Sequence, residues 1–315
     1  MLKYINSILC QFRSCFSRNA SFQWFVVIIV GLMLRSDHLG ITSVIRDLAL
    51  PAHHYESLVH FFRSSAWSLE SLRRAWLQIV RRVAPLYSLN EAVILVGDGM
   101  KQAKEARRMP GVKRLHQESE NSSKAEYIYG HMFGAIGILM GTSLKLFCLP
   151  LFINLQDGVK SIFGWNHPKE RQDSHVVQMI EQGLHATKAL GKAILLLDRH
   201  FLSVPALKRW KEGNDSSDIP MHLVTQAKAN AVAYEPPEKK NGRGRPPKKG
   251  VVVKLKELFQ TRASGFEFAT VTIYGKKETV QHLCLDLLWG QGLYQVLRFV
   301  LVHWGDRRSI LVIVF

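Results

Sequence analysis

Apolar positions recur with a helical period in the first third of the chain and cluster in short strand-like runs thereafter. Residues 42–84 read as consecutive short helices. Thr42 can cap a stretch over 43–50 that Pro51 ends, and Tyr55, Leu58, Val59 and Phe62 then share one helical face. Ser68 can cap a longer helix whose apolar stripe is Leu69, Leu72, Trp76, Ile79, Val80 and Val83. Arg73, Arg74, Arg81 and Arg82 fall largely off that stripe, and Pro85 stops the helix. Upstream, the apolar stretch 22–34 is interrupted by Gln23 and ended by Arg35. A membrane-spanning helix needs about 20 residues, so this shorter stretch predicts a core helix.

At 92–96 the pattern changes to a β-branched apolar run, the mark of a strand buried on both faces. It ends in Gly97-Asp98-Gly99, and a basic loop follows with Lys101, Lys104, Arg107, Arg108, Lys113 and Arg114. Residues 127–139 and 145–153 read as two further strands. Val177, Ile180 and Leu184 form a helix face capped by Asp173 or Ser174. A second buried strand, 193–197, ends at Asp198. Ser203 caps the next helix, Pro205 lies in its first turn and Gly213 stops it. After a strand at 221–225, the polar, proline-bearing stretch 229–250 reads as a loop. Strand-like runs continue at 251–253, 267–273, 280–285 and 296–303. The unbroken apolar run 310–315 suggests a core strand and an incomplete domain.

Composition sharpens this picture through charge. The 315 residues include 42 Lys and Arg against 25 Asp and Glu, a formal net charge of +17. Such an excess points to a polyanionic partner, nucleic acid first and an anionic membrane surface second. A hydrophobic fraction of 47% and a charged fraction of 21% exclude a mainly disordered or collagen-like chain. The four cysteines, Cys10, Cys15, Cys148 and Cys284, make no C-x-x-C pair, which predicts reduced, mostly buried thiols in a cytoplasmic protein. No H-E-x-x-H metal motif and no Walker A loop are present.

Two constellations carry candidate chemistry. Asp98 and Asp198 each close a buried strand. Aspartates at the carboxyl ends of neighbouring strands can converge on a divalent cation, although strand-end aspartates also serve as turn formers and helix caps. A pair of such metals is the usual device for in-line displacement at phosphorus. The second constellation is the run 239–249, in which Arg243-Gly244-Arg245-Pro246 is flanked by lysines including Lys248 and Lys249. It resembles an AT-hook, an extended segment that lies in the minor groove of A·T-rich DNA. The helical module at 42–84, with its arginines, offers a further DNA contact.

Taken together, Val93-Ile94-Leu95-Val96-Gly97-Asp98-Gly99, Met109-Pro110-Gly111-Val112-Lys113 with Leu115-His116-Gln117, and Leu195-Leu196-Leu197-Asp198-Arg199 resemble bacterial insertion-sequence transposases of the DDE type. The resemblance runs from about residue 20 to the end. It implies an α/β fold: an RNase H-like mixed sheet flanked by helices, with an N-terminal helical module and a β-rich insertion. The implied organisation is a helical DNA-binding module over 20–88, the first part of the core over 89–228, the insertion over 229–304, and a returning core strand begun at 305–315 before the domain is truncated. It further implies Mg²⁺- or Mn²⁺-dependent DNA strand cleavage, followed by attack of a 3′-hydroxyl on target DNA. Asp98 and Asp198 would be the first two catalytic, metal-holding acids, and Arg199 a phosphate contact. Lys101, Lys104, Arg107, Arg108, Lys113, Arg243, Arg245, Lys248 and Lys249 would bind DNA, at transposon ends and target, with a homodimer as the working form and no membrane.

The departure is the third acid. The family supplies a glutamate within Tyr-x-x-Arg-x-x-x-Glu-x-x-x-x-x-x-Lys, and no tyrosine here has Arg three and Glu seven residues on. Tyr294 is followed at those offsets by Leu297 and Leu301. Glu257, Glu278 and Asp286 fall in the stretch assigned to the insertion. With two acids and no third in this chain, the expectation is weakened metal binding and little or no catalysis. The alternative is a non-catalytic DNA-binding remnant that occupies transposon ends.

Overall fold

The computed structural model describes residues 2–36, 40–104, 109, 111–116, 126–155, 174–238, 246–273 and 275–315, which divide into a unit over 1–84 and a unit over 85–315. The first unit is helical: α1 (Leu2–Cys10), α2 (Asn19–Leu34), α3 (Ile41–Asp47), α4 (His54–Arg63) and α5 (Leu69–Val83), with a 3₁₀ turn at Arg13–Cys15. Its core joins Leu9, Phe12, Phe16, Phe25, Ile28, Val44, Leu58, Phe61 and Ile79. Phe16 is central, with ring centroids 5.1 Å from Phe25 and 6.4 Å from Phe61. The apolar stretch at 22–34 is indeed a core helix. Its Gly31 lies so close to Val44 that a Cβ there would stand 2.4 Å from a valine methyl. Among the described residues no helix is long and apolar enough to cross a membrane.

Local signals held where a side chain meets its own backbone. The Ser68 hydroxyl accepts from the Ser71 N–H at 3.2 Å and starts α5. Thr42 does not cap: α3 begins at Ile41 with Gly40 at its N-cap. On α4, Leu58 and Phe61 are buried while Tyr55 and Phe62 are exposed. The reason is tertiary. Phe61 stacks on Trp67 with centroids 5.1 Å apart and so turns the helix about its axis. At the ends of the α5 stripe Leu69 and Val83 are also exposed, whereas Leu77 is buried.

The second unit is built on a 13-stranded mixed sheet, comprising β1 (Ser88–Leu89), β2 (Ala92–Ala103), β3 (Lys113–His116), β4 (Tyr127–Thr142), β5 (Lys145–Leu155), β6 (Ala193–Leu197), β7 (Met221–Gln226), β8 (Val232–Tyr234), β9 (Val252–Lys254), β10 (Glu267–Ile273), β11 (Lys276–Trp289), β12 (Gln295–Trp304) and β13 (Arg307–Val314). Among the described residues three α-helices join it: α6 (His175–Leu190), α7 (Val204–Asp215) and the short α8 (Leu258–Thr261). β2 is central, antiparallel to β4 and parallel to β6, and β6 is parallel to β7. β5 pairs antiparallel with β4. This is the mixed, RNase H-like sheet that the resemblance implies. β13 returns antiparallel beside β7, and β12 and β11 extend the same sheet as an antiparallel meander.

Alternation along the strands shows which face the helices cover. Ala193, Leu195 and Leu197 on β6, and Met221, Leu223 and Thr225 on β7, are buried, while the intervening residues are half-buried. A Cβ on Gly183 of α6 would stand 2.7 Å from Leu195, so α6 packs on the face that Leu195 presents. On α7 the Ser203 hydroxyl accepts from the Ala206 N–H, as its sequence predicts, but the helix runs past Gly213 to Asp215. A Cβ at Gly213 would stand 2.2 Å from a Leu184 methyl, so this glycine serves helix–helix packing rather than termination.

The thiols are a second correction. Cys10, Cys148 and Cys284 are exposed and Cys15 is half-buried, all four free. Cys148 and Cys284 lie on strands with one open face, where a small apolar residue need not be inside.

His222 on β7 gives the fold an acid-sensitive point. Burial, aided by the Lys192 charge, holds its imidazole below the ordinary histidine value, and its Nδ1 is buried without a hydrogen-bond partner among the described residues. The neutral ring is thus favoured in the fold. Its contribution is undiminished above the ordinary histidine value and is lost as pH falls below that value and through the lowered one. Melting temperature should therefore fall more steeply below pH ~6.5 in the native chain than in His222→Leu. Parallel declines would show that His222 does not cause the loss.

Candidate active site

The apolar runs of β2 and β6 bring two aspartates to equivalent positions on neighbouring chain segments. Val93 pairs with Ala193, and the parallel register continues to Gly97 with Leu197, so Asp98 and Asp198 occupy the next equivalent positions. Neighbouring strands lie about 4.8 Å apart. A Cβ on Gly97 would stand 2.5 Å from Leu197 and 2.8 Å from Met179 of α6. Gly97 and Leu197 therefore face α6, and by alternation Asp98 faces the opposite side of the sheet. Both acids are exposed.

Each carboxylate is oriented by the backbone that follows it. Asp98 Oδ1 accepts from the Gly99 N–H at 2.7 Å, and Asp198 Oδ1 accepts from the Arg199 N–H at 2.6 Å. Asp198 also caps a 3₁₀ turn, Arg199–Phe201, which places Arg199 and His200 in solvent beside the acids. His200 Nε2 lies 3.9 Å from Asp198 Oδ2. Behind the pair, the Thr225 hydroxyl on β7 donates to the Asp198 carbonyl at 2.9 Å, and Thr225 is 2% exposed.

Sequence reasoning missed Thr225 and His200. The signal for Thr225 was a polar residue in step with the inward Met221 and Leu223 of its strand. For His200 it was a second basic residue directly after Asp198-Arg199.

The basic residues divide. β2 does not end at Asp98 but continues to Ala103, because pairing with β4 supplies hydrogen bonds whatever the side chains. Lys101 is thus a strand residue, its ammonium donating to the His116 carbonyl at 2.7 Å. Lys104 follows the strand and is exposed, and Lys113 lies on β3. Lys248 is exposed, while the Lys249 ammonium sits 4.2 Å from the Tyr234 ring centroid. Arg107, Arg108, Arg243 and Arg245 lie outside the described residues.

Three acids of the stretch assigned to the insertion are engaged elsewhere. Asp286 accepts two hydrogen bonds from Arg298, each 2.8 Å, which hold its carboxyl below the usual carboxylate range. Glu257 pairs with Lys254 at 2.9 Å, and Glu278 accepts from the Trp304 indole at 3.5 Å. Among the described residues no group of three or more His, Cys, Asp or Glu side chains is arranged to hold a metal.

Comparison with known proteins adds one match. Residues 11–126 fit the family model described as DDE superfamily endonuclease. Over this stretch, less than half of the chain, the sequence is similar to DDE superfamily endonucleases. The match includes β2 with Asp98 and ends before β4, so Asp198 lies beyond it. No curated protein and no solved structure matches. The sequence resemblance agrees with this match.

Proposed function

We propose that Asp98 and Asp198 are the first two acids of an insertion-sequence transposase and hold Mg²⁺ or Mn²⁺. The observation that carries this reading is their equivalent placement on adjacent parallel strands. The donors suit such ions: they are hard carboxylate oxygens, and Mg²⁺ is commonly held by one or two carboxylates, with waters and substrate phosphates completing the shell. When bound, the metal would activate the attacking oxygen and stabilise the leaving oxygen in DNA strand cleavage and transfer. The chain's own residues orient the site. The Gly99 and Arg199 amides each tie one carboxylate oxygen, and the exposed Arg199 side chain would contact a DNA phosphate.

The second reading is a DNA-binding remnant that occupies transposon ends, working in the cytoplasm as a homodimer with little or no cleavage. The observation favouring it is that among the described residues no third ligand joins the two acids. The +17 charge supports DNA binding under either reading. Mn²⁺ binding followed by electron paramagnetic resonance, together with nicking of DNA bearing the element's ends, separates the two. Metal bound by the native chain and lost in Asp98→Ala supports the metal site. Nicking that depends on Asp98 would place a third acid in this chain or a partner.

The position of Thr225 leads to a milder expectation. Thr225→Val keeps the side chain's shape but leaves the Asp198 carbonyl without its donor. Mn²⁺ should then bind about 10- to 100-fold more weakly, as is usual for a lost outer partner of a metal ligand. Thr225→Ser should retain binding, and equal losses in both variants would reduce Thr225 to a packing residue.

A further inference from the structure

The sheet face that carries Asp98 continues beyond it as an aromatic and basic strip. β2 and β4 are paired from Leu95 with Ile138 to Ala103 with Gly130, and Asp98 pairs with Ala135. Paired residues of antiparallel strands point to the same side. Lys104 continues the face of Asp98 along β2, and Tyr129 and Tyr127 continue it along β4. On the outer strand Arg114 pairs with Tyr129 and His116 with Tyr127, which brings both to this face. Lys104 lies six residues beyond Asp98, or about 20 Å of strand.

Both tyrosines are open to solvent, Tyr127 at 43% and Tyr129 at 40%. The Arg114 guanidinium lies 4.0 Å from the Tyr127 ring centroid, and the His116 ring is 5.1 Å away, edge-on. Among the described residues, the Glu126 carboxylate stands beside them, 3.7 Å from His116 Nε2. Each ring keeps a solvent-open part, and their spacing of two residues sets them about 7 Å apart along one strand. Aromatic rings and a guanidinium plane offer stacking surfaces to nucleobases, and the cations of Arg114 and Lys104 suit the phosphates between them. A duplex hides its base faces in its own stack. Only an unpaired strand can present them.

We propose that this strip, centred on Tyr127, Tyr129 and Arg114, binds an unpaired DNA strand leading to Asp98 and Asp198. It rests on the nuclease reading of those acids and names the form of DNA delivered to them. Stacking on aromatic side chains is tolerant of base identity, so the strip reads single-strandedness rather than sequence.

The test uses the full chain and two fluorescein-labelled probes, a duplex with a single-stranded tail and the same duplex blunt. Fluorescence anisotropy should show Tyr127→Ala/Tyr129→Ala binding the tailed probe about tenfold or more weakly, with blunt-duplex affinity unchanged. Tyr127→Phe/Tyr129→Phe should restore tail binding, because the ring and not the hydroxyl stacks. Unchanged tail affinity in the alanine variant, or equal losses on both probes, would overturn the inference. Should the alanine variant not fold, photocrosslinking of a bromouracil-substituted tail to the native chain decides. Attachment within 127–129 supports the strip, and attachment confined to other segments refutes it. Mn²⁺ binding measured in parallel keeps the two readings apart: its absence with tail binding intact would sink the metal site alone.

Discussion

Asp98→Asn is expected to weaken Mn²⁺ binding by at least about a hundredfold, and Asp198→Asn to do the same. Each change preserves shape and removes the charge on one of two adjacent carboxylates, and two acids give the ion little else from this chain. The Oδ1 contacts to the Gly99 and Arg199 amides can survive in the amides, so the loss measures charge rather than a collapsed turn. Asp286→Asn is the matched control. Its carboxylate is already engaged in a two-pronged pair with Arg298, and its replacement should leave Mn²⁺ binding where it was. Isothermal titration of the three variants checks the prediction. Equal binding by native chain and Asp98→Asn would remove the metal site from β2. A loss in Asp286→Asn would make that residue a ligand.

Leu195→Ala should lower the stability of the 85–315 unit by about 2–5 kcal/mol, the usual range for a large core aliphatic truncated to alanine. Leu195 is fully buried on β6, pairs in register with both Leu95 and Leu223, and fills the space left by Gly183 of α6. Truncation leaves a void beneath α6 that rigid neighbours on three sides cannot close. Leu144, 98% exposed in the turn between β4 and β5, provides the contrast: Leu144→Ala should stay within about 0.5 kcal/mol of the native chain. Urea midpoints at constant m-value would check both. Equal midpoints for the native chain and Leu195→Ala would mean that the α6 face is not the core of this unit. Because Asp198 directly follows β6, the same variant should also loosen the acid's placement.

Of the two acids only Asp198 sits at a strand end, as the linear pattern suggests. β6 does stop before Asp198, but β2 passes through Asp98 and runs on through Lys101 and Gln102 to Ala103. Apolar periodicity ends where burial ends, and hydrogen-bonded pairing does not have to end there. Gly130 shows the constraint that this extension imposes, since a Cβ there would stand 2.2 Å from the Gln102 carbonyl oxygen. The exposed tyrosine strip exists only because β2, β3 and β4 continue past the core.

What the sequence by itself determined is what depends on near neighbours and on burial. The serine caps of α5 and α7 are contacts across three residues. The core helix α2 and the apolar runs of β2 and β6 follow from stretches with too few polar groups to lie in water. The candidate acids were legible for the same reason, as charges placed where an apolar run gives out. What only the tertiary structure decided is which residues meet across long separations. The parallel register that sets Asp98 beside Asp198 comes from strand pairing, and the Thr225 bond to the Asp198 carbonyl from a third strand. The turn of α4 toward Phe61 comes from Phe16 and Trp67. Each is a choice among alternatives that the local chain tolerates about equally, and packing and pairing energies between distant segments make it.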